Sequence, residues 1–282
     1  MINILITGST GFIGKHLVNC LKKNKLYNLI CISSKDGDIC NIETWNKLPK
    51  AEIIIHLAAS TYIPESWDNP FLFINNNFIG TVHALNFAKK NKAKFIFIST
   101  YLYGNPQVLP INETSKLDAN NPYSFSKLQA ENACEFYSKF FDLNITILRP
   151  FNIYGPGQNK NFLIPTIINQ INITNEITIQ DGKPKRDYLY IDDLINAITI
   201  VLHNNFKFEI FNLGFGESYS INDLVEILKS IKNKEILIND RKIRRVNEIM
   251  NTIADISKAK NLLNWEPKIS ITEGLTKVIN SI

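Results

Sequence analysis

The stretch Ile4-Leu-Ile-Thr7-Gly8-Ser-Thr-Gly11-Phe12-Ile13-Gly14 (ILITGSTGFIG) decides the fold. It closes the short apolar run Ile2 to Ile6 with glycines at 8, 11 and 14, and Lys15 to Lys23 follows with helical spacing in Leu17, Val18 and Leu21. The pattern predicts a strand, a tight turn and a helix. Glycine permits the turn and lets backbone N–H groups approach a pyrophosphate, which a helix N-terminus also attracts. The spacing is GxxGxxG rather than GxGxxG, so the turn alone does not establish a dinucleotide site. Three glycines there can equally serve packing.

Working outward, Leu29 to Ile32 reads as a second strand, and Ile53 to Leu57 as a third that ends in Ala58, Ala59 and Ser60. Residues from about 70 to 90 read as helix, 95–98 as a fourth strand, 122–141 as a helix with Pro122 suited to its first turn, and 145–148 as a fifth strand. This rhythm predicts an α/β fold, a Rossmann-type doubly wound parallel sheet whose short apolar strands are covered on both faces. Beyond Arg149 the rhythm loosens at Gly155, Pro156 and Gly157. Residues 162–171 look helical, 188–202 read as a strand or turn and then a helix, 209–213 as a strand, and Ser220 caps a helix through Ile231. We place a nucleotide-binding domain over 1–151 and a smaller C-terminal α+β lobe, mainly for substrate, over 152–282, with 187–213 returning to the first domain.

Composition bounds the alternatives. With 282 residues, 45% hydrophobic and 20% charged, the chain can bury a full core. Its formal charge of +5 is spread out, and no basic helix or aromatic platform suggests a nucleic-acid partner. The densest basic run, Arg241, Lys242, Arg244 and Arg245, reads either as a solvated loop or as a clamp for an anionic substrate. Four cysteines form no CxxC pair; Cys20 and Cys31 read as small buried hydrophobes. Four histidines lack ligand spacing, so no metal is expected. No apolar run matches a membrane span, and Met1 leads straight into a strand, leaving no room for a signal peptide. A cytoplasmic location with no membrane partner is expected.

Two further places carry chemistry. After the second strand come Ser33, Ser34, Lys35 and Asp36. A carboxylate at such a tip holds the ribose hydroxyls of NAD, whereas hydroxyls and an ammonium suit the extra phosphate of NADP. The tip points to NADP, although Asp36 can still reach the ribose if the turn is tight. Tyr123-Ser-Phe-Ser-Lys127 opens a helix, so the phenol and the amine share one face. A free tyrosine has a pKa of about 10, and stabilising its phenolate near neutrality requires about 4 kcal/mol, available from a close ammonium in a partly desolvated cleft. Ser99 lies just past the fourth strand, at the carboxyl edge where such sheets bind ligands. Alone, YxxxK reads as helix surface and Ser99 as a turn residue. Glycine turn, strand-end serine and YxxxK in that order point to a catalytic set of Ser99, Tyr123 and Lys127.

On these residues the chain resembles the extended short-chain dehydrogenase/reductase family, in its nucleotide-sugar branch, nearly end to end. Gly8 to Gly14 matches the family's cofactor turn, His56-Leu-Ala-Ala59 its third-strand tip, and Asn77 to Thr81 (NFIGT) its NVxGT segment. Ser99 to Gly104 (STYLYG) matches the catalytic strand end, Arg149 to Gln158 (RPFNIYGPGQ) a characteristic block, and Arg186 to Asp193 the RDYxxVxD block. The resemblance implies cofactor contacts from Gly8, Gly11, Phe12, Ile13, Gly14, Ser33, Ser34, Lys35, Asp38, Ile39, Leu57, Ala58, Ala59, Asn77, Tyr123, Lys127, Pro150 and Ile153. It implies substrate contacts from Ser60, Ser99, Thr100 and Asn152. It also implies a diphosphate clamp of Arg186 and Arg245, the latter ten residues before Asp255. Two planar guanidiniums suit that task. Asn152 can instead cap a turn. A homodimer through the helices near 70–90 and 122–141 is a further implication.

Two departures narrow the activity. The branch's 4,6-dehydratases carry an Asp-Glu pair directly after the catalytic hydroxyl; here Thr100 and Tyr101 stand there, without the acid and base that water elimination needs. The carboxylate-poor tip and short stretch between Ile32 and Ile53 also differ from many epimerases, which usually keep NAD bound. The expectation is therefore an NAD(P)-dependent oxidoreductase reducing C4 of a nucleotide-diphosphate sugar that carries a 4-keto-(6-deoxy)hexose. A 4-epimerase is the close alternative, and a non-catalytic cofactor-binding regulator the distant one.

Overall fold

The computed structural model describes residues 1–244 and 248–281. They separate into two compact units: Met1–Leu102 with Leu117–Pro150 and Ile195–Phe211, and Tyr103–Lys116 with Phe151–Leu194 and Asn212–Ile282. Residues 103–116, which the sequence reading keeps with the N-terminal domain, thus group with the second unit.

The first unit is built on strands β1 (Ile2–Thr7), β2 (Tyr27–Ile32), β3 (Ile53–His56), β4 (Lys94–Ile98) and β5 (Ile145–Pro150). With β9 (Phe208–Leu213) they form one six-stranded sheet in the order β2-β1-β3-β4-β5-β9. The pairings from β2 through β5 are all parallel. The order reverses direction at β1 and β3, and α/β sheets bind ligands outside the strand carboxyl ends at such a switch. Helices α1 (Phe12–Leu21), α2 (Ile42–Asn46), α3 (Ile63–Asp68), α4 (Pro70–Phe73), α5 (Gly80–Asn91) and α6 (Pro122–Phe141) complete the unit, with a π-helical stretch, Ile74–Ile79, joining α4 to α5. Leu5, Ile54, Phe95, Phe97, Ala130 and Ile147 belong to its core.

Burial along β3, β4 and β5 is continuous, as two covered faces require. β2 differs. Cys20, on α1 and expected to be buried, is half-buried, but on β2 Cys31, also expected to be buried, is exposed. The reason is position: β2 is the edge strand, and an apolar run there is covered less completely.

The second unit holds β6 (Asn152–Tyr154), β8 (Lys185–Tyr190) and β10 (Ser218–Ser220) in a small mixed sheet, and β7 (Glu176–Ile179) parallel to β11 (Leu237–Asp240). Its helices are α7 (Leu163–Thr174), the start of α8 (Ile191–His203), α9 (Ile221–Lys232), α10 (Ser257–Leu263) and α11 (Ile271–Ile279). Reciprocal side-chain and backbone bonds at Ser220 and Asp223 cap α9 at the predicted residue. Among the described residues no helix is long and apolar enough to cross a membrane, and no group of three His, Cys, Asp or Glu could hold a metal ion.

Candidate active site

The glycine turn is shaped by close approach. Gly8 has a φ of +67°, and a Cβ there would lie 2.8 Å from the amide nitrogen of Ala58; one on Gly14 would lie 2.2 Å from the carbonyl oxygen of Gly8. Only glycine lets the turn press against the β3 tip while α1 starts immediately. Gly11 caps α1 without a side-chain hydrogen bond, so its first-turn N–H groups have no side-chain acceptor. Thr7 Oγ1 accepts from the backbone N–H of Leu57 and Ala58, each at 3.1 Å, and lies 2.9 Å from His56 Nδ1. With both lone pairs taken, that hydroxyl donates to Nδ1, which leaves the imidazole proton on Nε2. Burial pushes the His56 pKa down to about 3, so the ring is neutral. A cradle that a Cβ would fill, at a helix start lacking a side-chain cap, fits a dinucleotide pyrophosphate.

At the β2 tip, Asp36 accepts from the Ser33 amide at 2.8 Å and the Ser33 hydroxyl at 2.7 Å, bonds that hold its carboxyl below the usual range. Ser34 and Lys35 are exposed. Asp38 accepts from the Cys40 amide at 2.9 Å, while a Cβ on Gly80 would lie 2.6 Å from Ile39 Cδ1. Ile39 therefore rests on the start of α5.

Three consecutive residues at the carboxyl end of β4 collect the chemistry. Lys127 Nζ donates to the Ile98 carbonyl at 2.6 Å and stands 4.1 Å from the centre of the Phe97 ring. The Thr100 hydroxyl is hydrogen-bonded to the Tyr123 phenol. Between them, Ser99 is 4% exposed and its Oγ has no protein partner. A buried hydroxyl without a partner costs free energy unless it has a task.

Charge states differ from the simplest expectation. The Tyr123 phenol is pushed up to about 12, first by burial and also by Tyr101, with the Thr100 bond opposing. It is a proton donor at neutral pH, not a phenolate. Burial draws the Lys127 amine down to about 7, against the pull of Glu131.

Asn77, expected at the cofactor, is hydrogen-bonded within the protein. Its side chain accepts from the Ser60 amide at 2.8 Å and donates to the Ser60 carbonyl and to Ser126 Oγ, both at 2.9 Å. It braces the segment after β3 to the helix that carries Tyr123 and Lys127. Ser60 Oγ accepts from Asn76 at 3.0 Å. In the second unit, Asn152 donates to the Asp187 carbonyl at 3.0 Å. Arg186 pairs with the Glu248 carboxylate and donates to the Ile249 carbonyl at 2.5 Å. Pro150 ends β5, and Ile153 accepts from Gln158 at 2.8 Å through its carbonyl. Arg245 lies outside the described residues.

Residues 4–214 match the NAD dependent epimerase/dehydratase family. The chain belongs to that family. It is 33% identical to a UDP-glucuronate 4-epimerase of Thermodesulfobacterium geofontis, over 98% of this chain and 94% of the relative. It is 29% identical to a GDP-6-deoxy-D-mannose reductase of Pseudomonas aeruginosa, over 98% and 96%. The structure of RMD from Pseudomonas aeruginosa complexed with NADPH superposes with a TM-score of 0.92 at 28% identity, covering 100% of this chain and 98% of that one.

The structure also brings together a pair whose partnership the motifs did not reveal. Glu131 sits four positions beyond Lys127 on α6, and both its oxygens accept from Arg149 of β5, the shortest bond being 2.6 Å. The i, i+4 spacing was visible in the sequence; the partner strand was not.

Proposed function

We propose that the protein reduces the 4-keto group of a nucleotide-diphosphate-linked hexose. The observation that carries this reading is the β4 tip: a phenol hydrogen-bonded to Thr100, whose chain neighbour Ser99 has a buried hydroxyl with no protein partner. Tyr123 gives its proton to the carbonyl oxygen, and Ser99 donates a hydrogen bond to that oxygen as charge develops. Lys127, held by the Ile98 carbonyl, supplies positive charge near the phenol that is left. A bound nicotinamide supplies the hydride. The Gly8–Gly14 turn and the start of α1 would hold its pyrophosphate, and Lys127 a ribose. Exposed Ser34 and Lys35 favour the extra phosphate of NADP, while Asp36 is drawn back onto Ser33. Arg186, which already pairs with one carboxylate, has a planar guanidinium that suits a diphosphate, with Asn152, Ser60, Thr100 and Arg245 as further contacts. Thr100 and Tyr101 supply no acid–base pair for water elimination. Exposed Trp67, Phe71, Phe125, Phe136 and Phe140 on α3, α4 and α6 support a homodimer through these helices.

The reductase relative supports this reading, and the epimerase relative supports the second: oxidation at C4 followed by reduction from the other face. Incubation with a nucleotide-linked 4-keto-6-deoxyhexose separates them. Stoichiometric loss of NADPH absorbance at 340 nm, faster than with NADH, is the expected result. Interconversion of two 4-hydroxy sugars without net cofactor consumption would replace reductase by epimerase. Binding of the dinucleotide with no turnover of either substrate would leave a regulator.

A further inference from the structure

Lys127, Glu131 and Arg149 are 3%, 4% and 2% exposed, so three formal charges lie inside the first unit. Arg149 Nε reaches both Glu131 oxygens, at 3.1 and 3.2 Å, and its Nη2 donates at 2.6 Å. A buried pair of this kind is a poor source of stability, because desolvation offsets the attraction and apolar replacements often do as well. Its location therefore needs another reason. Glu131 lies one turn beyond Lys127 on the same helical face, as Lys127 does from Tyr123.

Several groups face the Lys127 amine. From α6 come Glu131 and Cys134, the latter a thiol that burial holds neutral, while Tyr123 stands one turn earlier on the same helix. From β3 comes neutral His56, from β4 the Ile98 carbonyl and the Phe97 ring, and from β5 Arg149, reached through Glu131. Glu131 is the one anion in this set. Arg149 does not release its proton in a protein, whereas a buried lysine can. Of the two cations, Lys127 is the one whose charge Glu131 decides. Burial pulls that amine down to about 7, and Glu131 is the largest opposing influence.

We propose that Glu131, clamped by Arg149, is a positioning residue that keeps Lys127 an ammonium one turn from Tyr123, so that the buried pair serves proton transfer and not fold stability. This rests on the reading of Tyr123 and Lys127 as the reacting pair. Protein carrying [ε-13C]lysine reports the titration of Lys127, identified by the signal that Lys127→Met removes. Glu131→Gln is expected to lower its midpoint by about one pH unit or more, and the alkaline limb of kcat to move down with it. Glu131→Asp should restore most of both. Glu131→Gln combined with Arg149→Met leaves no guanidinium stranded without its carboxylate, guards against the single variant failing to fold, and moves the midpoint in the same direction. A midpoint that stays in place overturns the proposal, as does a lowered midpoint with an unmoved kcat limb. The titration needs no substrate, so if no 4-keto sugar is turned over, the proposed activity fails while the midpoint still judges Glu131.

Discussion

Lys94 begins strand β4, and Lys127, from α6, rests against its far end. Both are buried, at 9% and 3% exposure, and burial lowers both amines, to about 8 and about 7. Their surroundings diverge. Lys94 donates to the carbonyls of Val201 at 2.5 Å, Leu202 at 3.3 Å and Asn204, filling its three donors at the C-terminus of α8, where a cation also suits the helix dipole. Lys127 has one carbonyl, one ring face and a neighbour, Ser99, whose hydroxyl has no protein partner. A saturated buried cation closes a structure. One held by a single bond, at the carboxyl end of a parallel strand, is kept for something else.

The comparison breaks first under Lys127→Met. Its turnover should fall by about 10²–10⁴-fold in the 340 nm assay while its unfolding free energy stays within about 1 kcal/mol of wild type. Next is Lys94→Met, which orphans three buried carbonyls and should cost about 2–4 kcal/mol in urea unfolding, with kcat nearly unchanged. If the two variants exchanged these outcomes, the assignment of the two ends would be reversed.

A smaller effect sharpens the contrast. Both lysines titrate lower in the folded protein than the ordinary 10.5, so the unfolded chain binds more protons between about 7 and 10.5. Stability should therefore rise with pH across that window and be lost as pH falls through the folded values, each lysine contributing up to about 1.4 kcal/mol per pH unit. Urea midpoints at pH 7 and 9.5 check the sign, and Lys127→Met should flatten the slope. A wild-type midpoint independent of pH would show that neither amine is perturbed.

Local spacing explains what was legible in the sequence. The β1–glycine turn–α1 unit, the Tyr123–Lys127 face and the capped start of α9 each depend on residues within a few positions of one another. Features set by distant partners were not legible. Glu131 needed β5 to become half of a buried pair, and Asn77 needed both Ser60 and Ser126 before it became a brace. Cys31 looked buried because its run is apolar, and only the sheet order makes β2 an edge. The short β6, β7, β10 and β11 have three or four residues each, too few for a periodic signal. Arg186 was visible as a cation, but its pairing with Glu248 was not.

Tyr123→Phe tests the account most directly, because it deletes one oxygen and leaves the ring against Phe73. NADPH oxidation with a nucleotide-linked 4-keto sugar should slow by about 10²-fold or more, with dinucleotide affinity and melting temperature unchanged. Turnover equal to wild type would show that the proton comes from elsewhere, and that the β4 tip is not the reaction centre.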